Sequence, residues 1–243
     1  MRKCAFRRVD SLDYSGNEAL NTICSNLSFM GKDLKKIVIT SCNPNDGKSY
    51  LALQVARNLA RRGKKILLMD ADLRKSHLVS HYSITTDGDL QGLAHYLAGY
   101  CSVDDIIFET NIDNLYLVMT GRDVANPVPL LDSPMFAELL ENLANQFDMV
   151  LVDAPPVGLV IDAADIAGHC DGSILVVKYN NTRRKELNEA KWQLRQSGKP
   201  ILGCILNDVT FDSISTKKYY NKSYYSHYTK YYSRKDKDKE AGK

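Results

Sequence analysis

The chain has 243 residues, of which 44% are hydrophobic and 25% charged, and its formal net charge is +3. This length and composition are typical of one globular domain with a hydrophobic core. No apolar segment approaches the roughly 20 residues of a membrane helix, and no apolar stretch that would indicate a signal peptide follows Met1. We therefore expect a cytoplasmic protein that reaches a membrane only through a partner.

Short apolar segments alternate with helical patterns along most of the chain. Residues 17–30 are predicted to form a first helix. The predicted strands are 37–40, 65–69, 115–119, 149–152, 173–177 and 201–206, and the later predicted helices are 48–62, 89–99, 133–147, 162–169 and 183–197. Continuous apolar strands between helices are buried on both faces. The sequence therefore predicts an α/β fold, a three-layer sandwich whose mostly parallel central sheet is flanked by helices.

The first 213 residues are predicted to form this domain, and residues 214–243 are predicted to be a flexible tail. The tail has nine Lys and Arg against three Asp and Glu, a net charge of +6. It also holds seven of the 14 tyrosines, with almost no aliphatic residue among them. They are Tyr219, Tyr220, Tyr224, Tyr225, Tyr228, Tyr231 and Tyr232. Tyrosines without aliphatic neighbours do not build a core, and we interpret this cluster as a substrate.

A phosphate-binding loop is predicted where the strand 37–40 meets the helix 48–62. Lys48 is expected to reach the β- and γ-phosphates of a nucleotide, and Ser49 to bind Mg²⁺. The usual first glycine of this P-loop is replaced by Cys42, and Asn45 is expected to provide the positive φ that a glycine would give. The predicted nucleotide-binding residues are Asn45, Asp46, Gly47, Lys48, Ser49, Tyr50 and Asn207. For Asn207, contact with the adenine edge and an ordinary turn role are both open.

Three carboxylates follow predicted strands that run toward the same edge of the sheet. Asp70 and Asp72 come after one strand, and Asp153 comes after another. Ligands of open α/β sheets bind at the carboxyl ends of the strands. Beside a P-loop, these side chains predict Mg²⁺ binding together with a general base, in a P-loop NTPase-like fold.

Together these segments resemble the bacterial tyrosine kinases of capsule and exopolysaccharide synthesis, specifically the cytoplasmic kinase subunit of the two-chain type. The resemblance covers nearly the whole chain. It is carried by residues 41–49, 70–74, 92–99, 126–131 and 150–156 and by the terminal tyrosine cluster.

The resemblance implies an ATP-dependent protein-tyrosine kinase that phosphorylates its own terminal tyrosines in trans, through tail exchange between subunits, and regulates polysaccharide synthesis and export. It implies Asp70, Lys48 and Asp72 as catalytic residues, with Asp70 as the base for the tyrosine proton. Asp72 and Ser49 would bind the metal, and Asp153 would support it. The implied partners are a transmembrane activator of the polysaccharide co-polymerase type, which holds the kinase at the inner face of the membrane, and a phosphotyrosine phosphatase.

The chain departs from this family in its first predicted helix, the candidate oligomerisation element. Members carry a Glu-x-x-Arg-x-x-Arg motif that joins subunits into a ring, and the matching positions here are Glu18, Asn21 and Cys24. Because both arginines are missing, the sequence leaves a ring and another oligomer open. The basic tail is expected to dock on an acidic surface near the site.

The alternative interpretation is that the chain is a dimerising switch ATPase of the ParA and MinD type, which acts on DNA or a membrane. Such proteins carry a second lysine early in the loop, and the position five residues before Lys48 is Asn43. The tail also lacks the aliphatic stripe of a membrane-binding helix. Nucleic-acid binding is not expected.

Overall fold

A nine-stranded sheet is the centre of the fold in the computed structural model, which describes residues 2–31 and 33–209. The strands are β1 Arg2–Ala5, β2 Lys36–Ser41, β3 Ile66–Asp70, β4 Thr85–Thr86, β5 Ile107–Glu109, β6 Leu115–Val118, β7 Met149–Asp153, β8 Gly172–Lys178 and β9 Ile201–Asn207. Their order is β4-β1-β5-β6-β3-β7-β2-β8-β9. Only the pairs β1–β4 and β5–β6 are antiparallel among these strands, so the predicted mostly parallel sheet is confirmed.

Helices cover both faces of this sheet. Within the described residues they are α1 Tyr14–Phe29, α2 Lys48–Arg61, α3 Leu78–His81, α4 Leu93–Leu97, α5 Val103–Ile106, α6 Val128–Leu131, α7 Pro134–Gln146, α8 Asp162–Gly168 and α9 Arg184–Gln196. Side chains alternate along β2, so that Ile37 and Ile39 pack with α1 and α2 while Val38 packs with α7, α8 and α9. The predicted three-layer sandwich is therefore confirmed.

Two predicted helices differ in extent from the observed ones. Helix α1 begins at Tyr14 instead of residue 17, because the Asp13 carboxylate accepts a hydrogen bond from the Gly16 N–H at 2.7 Å and caps the helix there. Helix α4 covers only Leu93–Leu97 of the predicted range 89–99. Its start is fixed by Gly92, whose backbone is extended and lies so close to Met119 that a Cβ would be 2.3 Å from the Met119 carbonyl oxygen.

The sequence did not predict the short elements at one edge of the sheet. Strands β1, β4 and β5 have two to four residues each, which is too short for a clear period in the sequence. The predicted boundary at residue 213 and the tail 214–243 lie outside the described residues. Among the described residues, no helix combines the length and apolar character needed to span a bilayer.

The segment that follows β3 is joined to the start of α8 by an ion pair. Arg74 Nε and Nη2 donate to the two carboxylate oxygens of Asp162 at 2.7 and 2.9 Å, and Asp162 is fully buried at the start of α8. Arg74 also donates to the Ala125 carbonyl at 3.4 Å. A bidentate pair of this kind fixes direction as well as distance, so residues 71–76 have a defined path.

Replacing Arg74 with alanine is expected to lower the free energy of unfolding by about 2 kcal/mol, because Asp162 stays buried without its partner. The loss is smaller than for a fully buried pair, since the Arg74 side chain is 33% exposed. Urea denaturation measures it. Lys185→Ala, which breaks an exposed pair with Glu189, should change the stability little. Equal effects of the two substitutions would contradict the role given to Arg74.

Candidate active site

The three predicted carboxylates meet at the carboxyl edge of the sheet. Strands β3 and β7 are parallel neighbours, and their last residues, Asp70 and Asp153, lie directly opposite each other in the register. Both side chains are buried, and Asp72 is almost as deeply buried two residues further on. Strand β2, which leads into the P-loop, is the other neighbour of β7. The strand order therefore brings the acids and the loop to one place.

The P-loop backbone turns through two left-handed residues. Asn45 has a φ of 62° and Gly47 a φ of 93°, so the prediction that Asn45 provides a positive φ is confirmed. Inside the turn, the buried carboxylate of Asp46 accepts a hydrogen bond from the Asn43 N–H at 2.9 Å. Helix α2 then begins at Lys48 with no side-chain cap from any described residue. An uncapped helix start of this kind is the usual phosphate-binding arrangement.

One partly buried lysine lies among the three carboxylates. Lys48 Nζ is 3.2 Å from Asp72 Oδ2 and 3.6 Å from Asp153 Oδ1, and it donates to Ser49 Oγ at 3.1 Å. Burial opposes the charge on Lys48, but the carboxylates outweigh it and raise its pKa. Burial, reinforced by repulsion from Asp153, raises the pKa of Asp70 to about 7. Burial also raises the pKa of Asp153. A carboxyl group with a pKa near neutrality is suited to act as a general base.

The oxygen atoms of this cluster suit Mg²⁺. Asp153 Oδ1 is buried and accepts no hydrogen bond from the described residues, and Ser49 and Asp72 supply further oxygen donors beside it. Within the same residues, no group of three or more His, Cys, Asp or Glu side chains is arranged to hold a metal ion. Mg²⁺ needs no such group, since it is usually held by one or two carboxylates, phosphate oxygens and water. The donor set therefore fits the predicted ion.

Most of the predicted site residues surround one cavity of about 610 Å³. Those that line it are Asn45, Gly47, Lys48, Ser49, Tyr50, Asp70, Asp72 and Asp153. Asp46 and Asn207 do not line the cavity. The Asn207 side-chain amide instead donates to the Asp46 carbonyl at 2.9 Å. This contact makes Asn207 a support of the P-loop, and its contact with adenine stays a prediction.

Ser76 is a site residue that the sequence did not predict. Its hydroxyl donates to Asp70 Oδ2 and accepts a hydrogen bond from the Leu78 N–H at 3.3 Å. This bond favours the ionised carboxylate, and it lowers the pKa of Asp70 against the larger effect of burial. Ser76 therefore holds the predicted base in one orientation. No motif marks a serine six residues after the aspartate, so only the arrangement in space reveals it.

Known proteins with similar sequences and structures include several tyrosine-protein kinases. Residues 34–180 match the family model of the AAA domain. The tyrosine-protein kinase CpsD of Streptococcus agalactiae serotype Ia is 42% identical over 199 residues, which are 82% of this chain and 84% of that protein. The kinase domain of the Escherichia coli tyrosine kinase ETK superposes with a TM-score of 0.76 at 29% identity, covering 81% of this chain and 76% of that one.

A protein of another kind is similar with a lower sequence identity and a lower TM-score. The septum site-determining protein MinD from Pyrococcus horikoshii, complexed with Mg-ADP, superposes with a TM-score of 0.59 at 26% identity, over 71% of this chain and 69% of that one. The nucleotide-binding fold is therefore common to both groups, and the similarity to the tyrosine kinases is greater in sequence and in structure.

Gly47→Ala is expected to weaken nucleotide binding at least about tenfold, because a left-handed residue with a side chain costs about 1–2 kcal/mol. The new Cβ would also lie 2.1 Å from Asn207 Nδ2. Titration with a fluorescent ADP analogue measures the affinity. Gly168→Ala is the matched control, since no atom lies within 4 Å of its Cβ position and its φ is not positive. Unchanged affinity in Gly47→Ala would show that the loop does not hold phosphate.

Ser76→Ala is expected to lower the rate of phosphoryl transfer about tenfold, as a hydrogen bond to a charged group is lost. The KM for ATP should change little, because Ser76 contacts the base and not the P-loop. Ser76→Thr, which keeps the hydroxyl, should restore the rate. Ser197→Ala is the control, since its hydroxyl donates to the Leu194 carbonyl in another part of the fold. A normal rate of phosphoryl transfer in Ser76→Ala would show that Ser76 does not orient the base.

Proposed function

The chain belongs to the bacterial tyrosine kinases of capsule and exopolysaccharide synthesis and is a protein-tyrosine kinase, and we propose that it transfers the γ-phosphoryl group of ATP to its own terminal tyrosines. The observation that supports this most is the arrangement at the carboxyl edge of β3 and β7. There a buried carboxyl group with a raised pKa, Asp70, lies in the same cavity as the P-loop lysine.

In the proposed reaction, the phenolic oxygen of a tyrosine forms a bond to the γ-phosphorus of ATP. The bond from that phosphorus to the oxygen that bridges the β- and γ-phosphates breaks, and ADP leaves. The phenolic proton passes to Asp70. Since a free tyrosine has a pKa of about 10, the base must lie close to it at the moment of attack. Ser76 keeps the Asp70 carboxylate oriented for this step.

The remaining site residues bind and orient the nucleotide. The backbone N–H groups of the P-loop and of the start of α2 would hold the phosphates, with Lys48 at the β- and γ-phosphates. Asp72 and Asp153 hold the Lys48 ammonium in the cavity. Mg²⁺, bound through Ser49, Asp72 and Asp153, would neutralise part of the charge on the transferring group.

The proposed acceptors are the seven tyrosines between residues 219 and 232, which lie outside the described residues. Transfer in trans requires subunits to associate. On α1, the positions of the missing family arginines face inward: Asn21 accepts hydrogen bonds from Asn58 and Arg62 of the same chain, and Cys24 is fully buried. We therefore propose that tail exchange, and not a charged motif on α1, joins the subunits.

The proposed partners are those of the two-chain capsule systems. A transmembrane activator would hold the kinase at the inner face of the membrane and switch it on, and a phosphotyrosine phosphatase would reverse the reaction. The switch-ATPase alternative is not favoured. At the position of its second lysine, the Asn43 side chain donates to Glu186 Oε2 at 3.0 Å and serves to join the P-loop to α9.

The test is mass spectrometry of the phosphatase-treated full-length chain after incubation with Mg-ATP, with and without the cytoplasmic segment of the activator. Phosphate is expected on the 219–232 tyrosines of the unsubstituted chain. Lys48→Met should lower the yield about 100-fold or more, since it removes a cation from the transition state. Lys185→Met, an exposed lysine outside the cavity, should retain it. ATP turnover with an unmodified tail under both conditions would instead identify a switch ATPase.

A further inference from the structure

Three nitrogen-bearing side chains line one side of the cavity that holds Asp70. They are Lys75, His77 and His81, here called the basic wall, and all three are exposed. His77 and His81 lie four residues apart, at the N-cap and the last residue of α3. This spacing puts both imidazoles on the same face of the helical turn.

The basic wall has a fixed position beside the acids. The Lys75 N–H donates to Asp72 Oδ1 at 3.2 Å, so the backbone of Lys75 is tied to a predicted metal ligand. Buried Leu78 and Tyr82 anchor α3 to the core. The His81 ring packs edge-on against the Tyr82 ring, with centroids 4.7 Å apart. The basic wall therefore continues directly from the segment that the contacts of Arg74 and Ser76 position.

The side chains of the basic wall have no ion-pair partner within the described residues. The acidic residues among those that line the cavity are Asp70, Asp72 and Asp153, which surround Lys48 at the carboxyl edge of the sheet. None of the three wall side chains forms an ion pair with a carboxylate of residues 2–31 or 33–209. An ammonium group and two imidazoles supply several N–H donors, which is the chemistry that binds phosphate.

Further lining of the same cavity is apolar. It is formed by Pro155, Pro156, Leu159 and Val160, which follow β7, and the side chain of Leu159 is 63% exposed. Such a surface suits an aromatic ring. One cavity therefore combines apolar residues that can pack against a phenyl ring with a basic wall that can bind an anion, next to the predicted base.

The tail of this chain supplies a ligand with both properties. Its tyrosines include the adjacent pairs 219–220, 224–225 and 231–232. The unmodified tail has a net charge of +6, the same sign as that of Lys75, whereas the sequence analysis expected the tail to dock on an acidic surface. Each phosphate adds about −1.5 to −2 charges, so a phosphorylated tyrosine reverses the interaction.

We propose that the basic wall is a binding subsite for phosphotyrosine, so that the kinase prefers acceptor tyrosines whose neighbour already carries phosphate. The inference rests on the proposed function and specifies the order of its reaction. The first phosphate on a tail is added slowly, against charge repulsion. Each later transfer beside a phosphotyrosine is faster, and the tail is completed in a cooperative manner.

The test uses peptides of residues 216–234 in which Tyr224 is the acceptor and the other tyrosines are replaced by Phe. Residue 225 is Phe in one peptide and phosphotyrosine in the other. The enzyme is the full-length chain with all seven tail tyrosines replaced by Phe, together with the activator segment. Fluorescence anisotropy with Mg-ADP gives the affinity for each peptide, and mass spectrometry gives kcat/KM. The phosphopeptide is expected to be favoured about tenfold in both, as several weak exposed ion pairs add together.

The combined variant Lys75→Gln, His77→Gln and His81→Gln should reduce this ratio to about 1. All three side chains are exposed, and thermal unfolding checks that the variant is folded. Lys185→Gln is the control and should keep the ratio. The Kd for ADP is measured in the same variants. If the basic wall binds nucleotide instead of phosphotyrosine, the combined variant will have a higher Kd for ADP and an unchanged peptide ratio.

Three results would overturn the proposal: equal affinity of the unsubstituted wall for both peptides, an unchanged ratio in the combined variant, or loss of ADP affinity alone. These results are distinct from a failure of the proposed function. In that case Mg-ATP would give no tyrosine transfer to either peptide, whereas the anisotropy ratio would still report on the basic wall.

Discussion

The balance between one lysine and three buried carboxylates governs this site. Asp70 and Asp153 are brought together by the register of β3 and β7, and Asp72 adds a third negative group, while Lys48 is their nearest cation. Burial raises the pKa of Asp70 to about 7, and repulsion from Asp153 reinforces this effect. By burying three carboxylates together, the fold thus creates a proton acceptor and a place for a divalent cation.

The contacts of residues 71–76 fix the positions of the groups around Asp70. Asp72 is near Lys48, Arg74 is bound to buried Asp162, and the Ser76 hydroxyl returns to Asp70. Lys75, between these anchors, is the first residue of the basic wall. The same few residues therefore position the base, the predicted metal ligand and one side of the acceptor cavity. On the other side of the P-loop, Asn207 and Glu186 support Asp46 and Asn43.

The sequence predicted the features that are encoded locally. The strands, the P-loop and the strand-end acids have strong patterns, and even the left-handed conformation of Asn45 follows from its residue type. The contacts of Ser76 and Asn207 were missed or assigned differently, because each depends on a partner brought close by the folded chain. Asn207, for example, contacts a residue 161 positions away. The one-turn helix α3 is too short to show a period, so the basic wall had no signal in the sequence.

The position of β1 in the sheet affects the order in which the strands pair during folding. Strand β1 precedes the other described strands along the chain, yet its parallel partner is β5, where Arg2 lies opposite Phe108. At about 5–20 residues per second, that partner leaves the ribosome roughly 5–20 seconds later. Pairing over such a separation raises contact order and slows folding. Meanwhile β2, α2 and β3 are consecutive in the chain, and β1 is expected to join the edge of the sheet late.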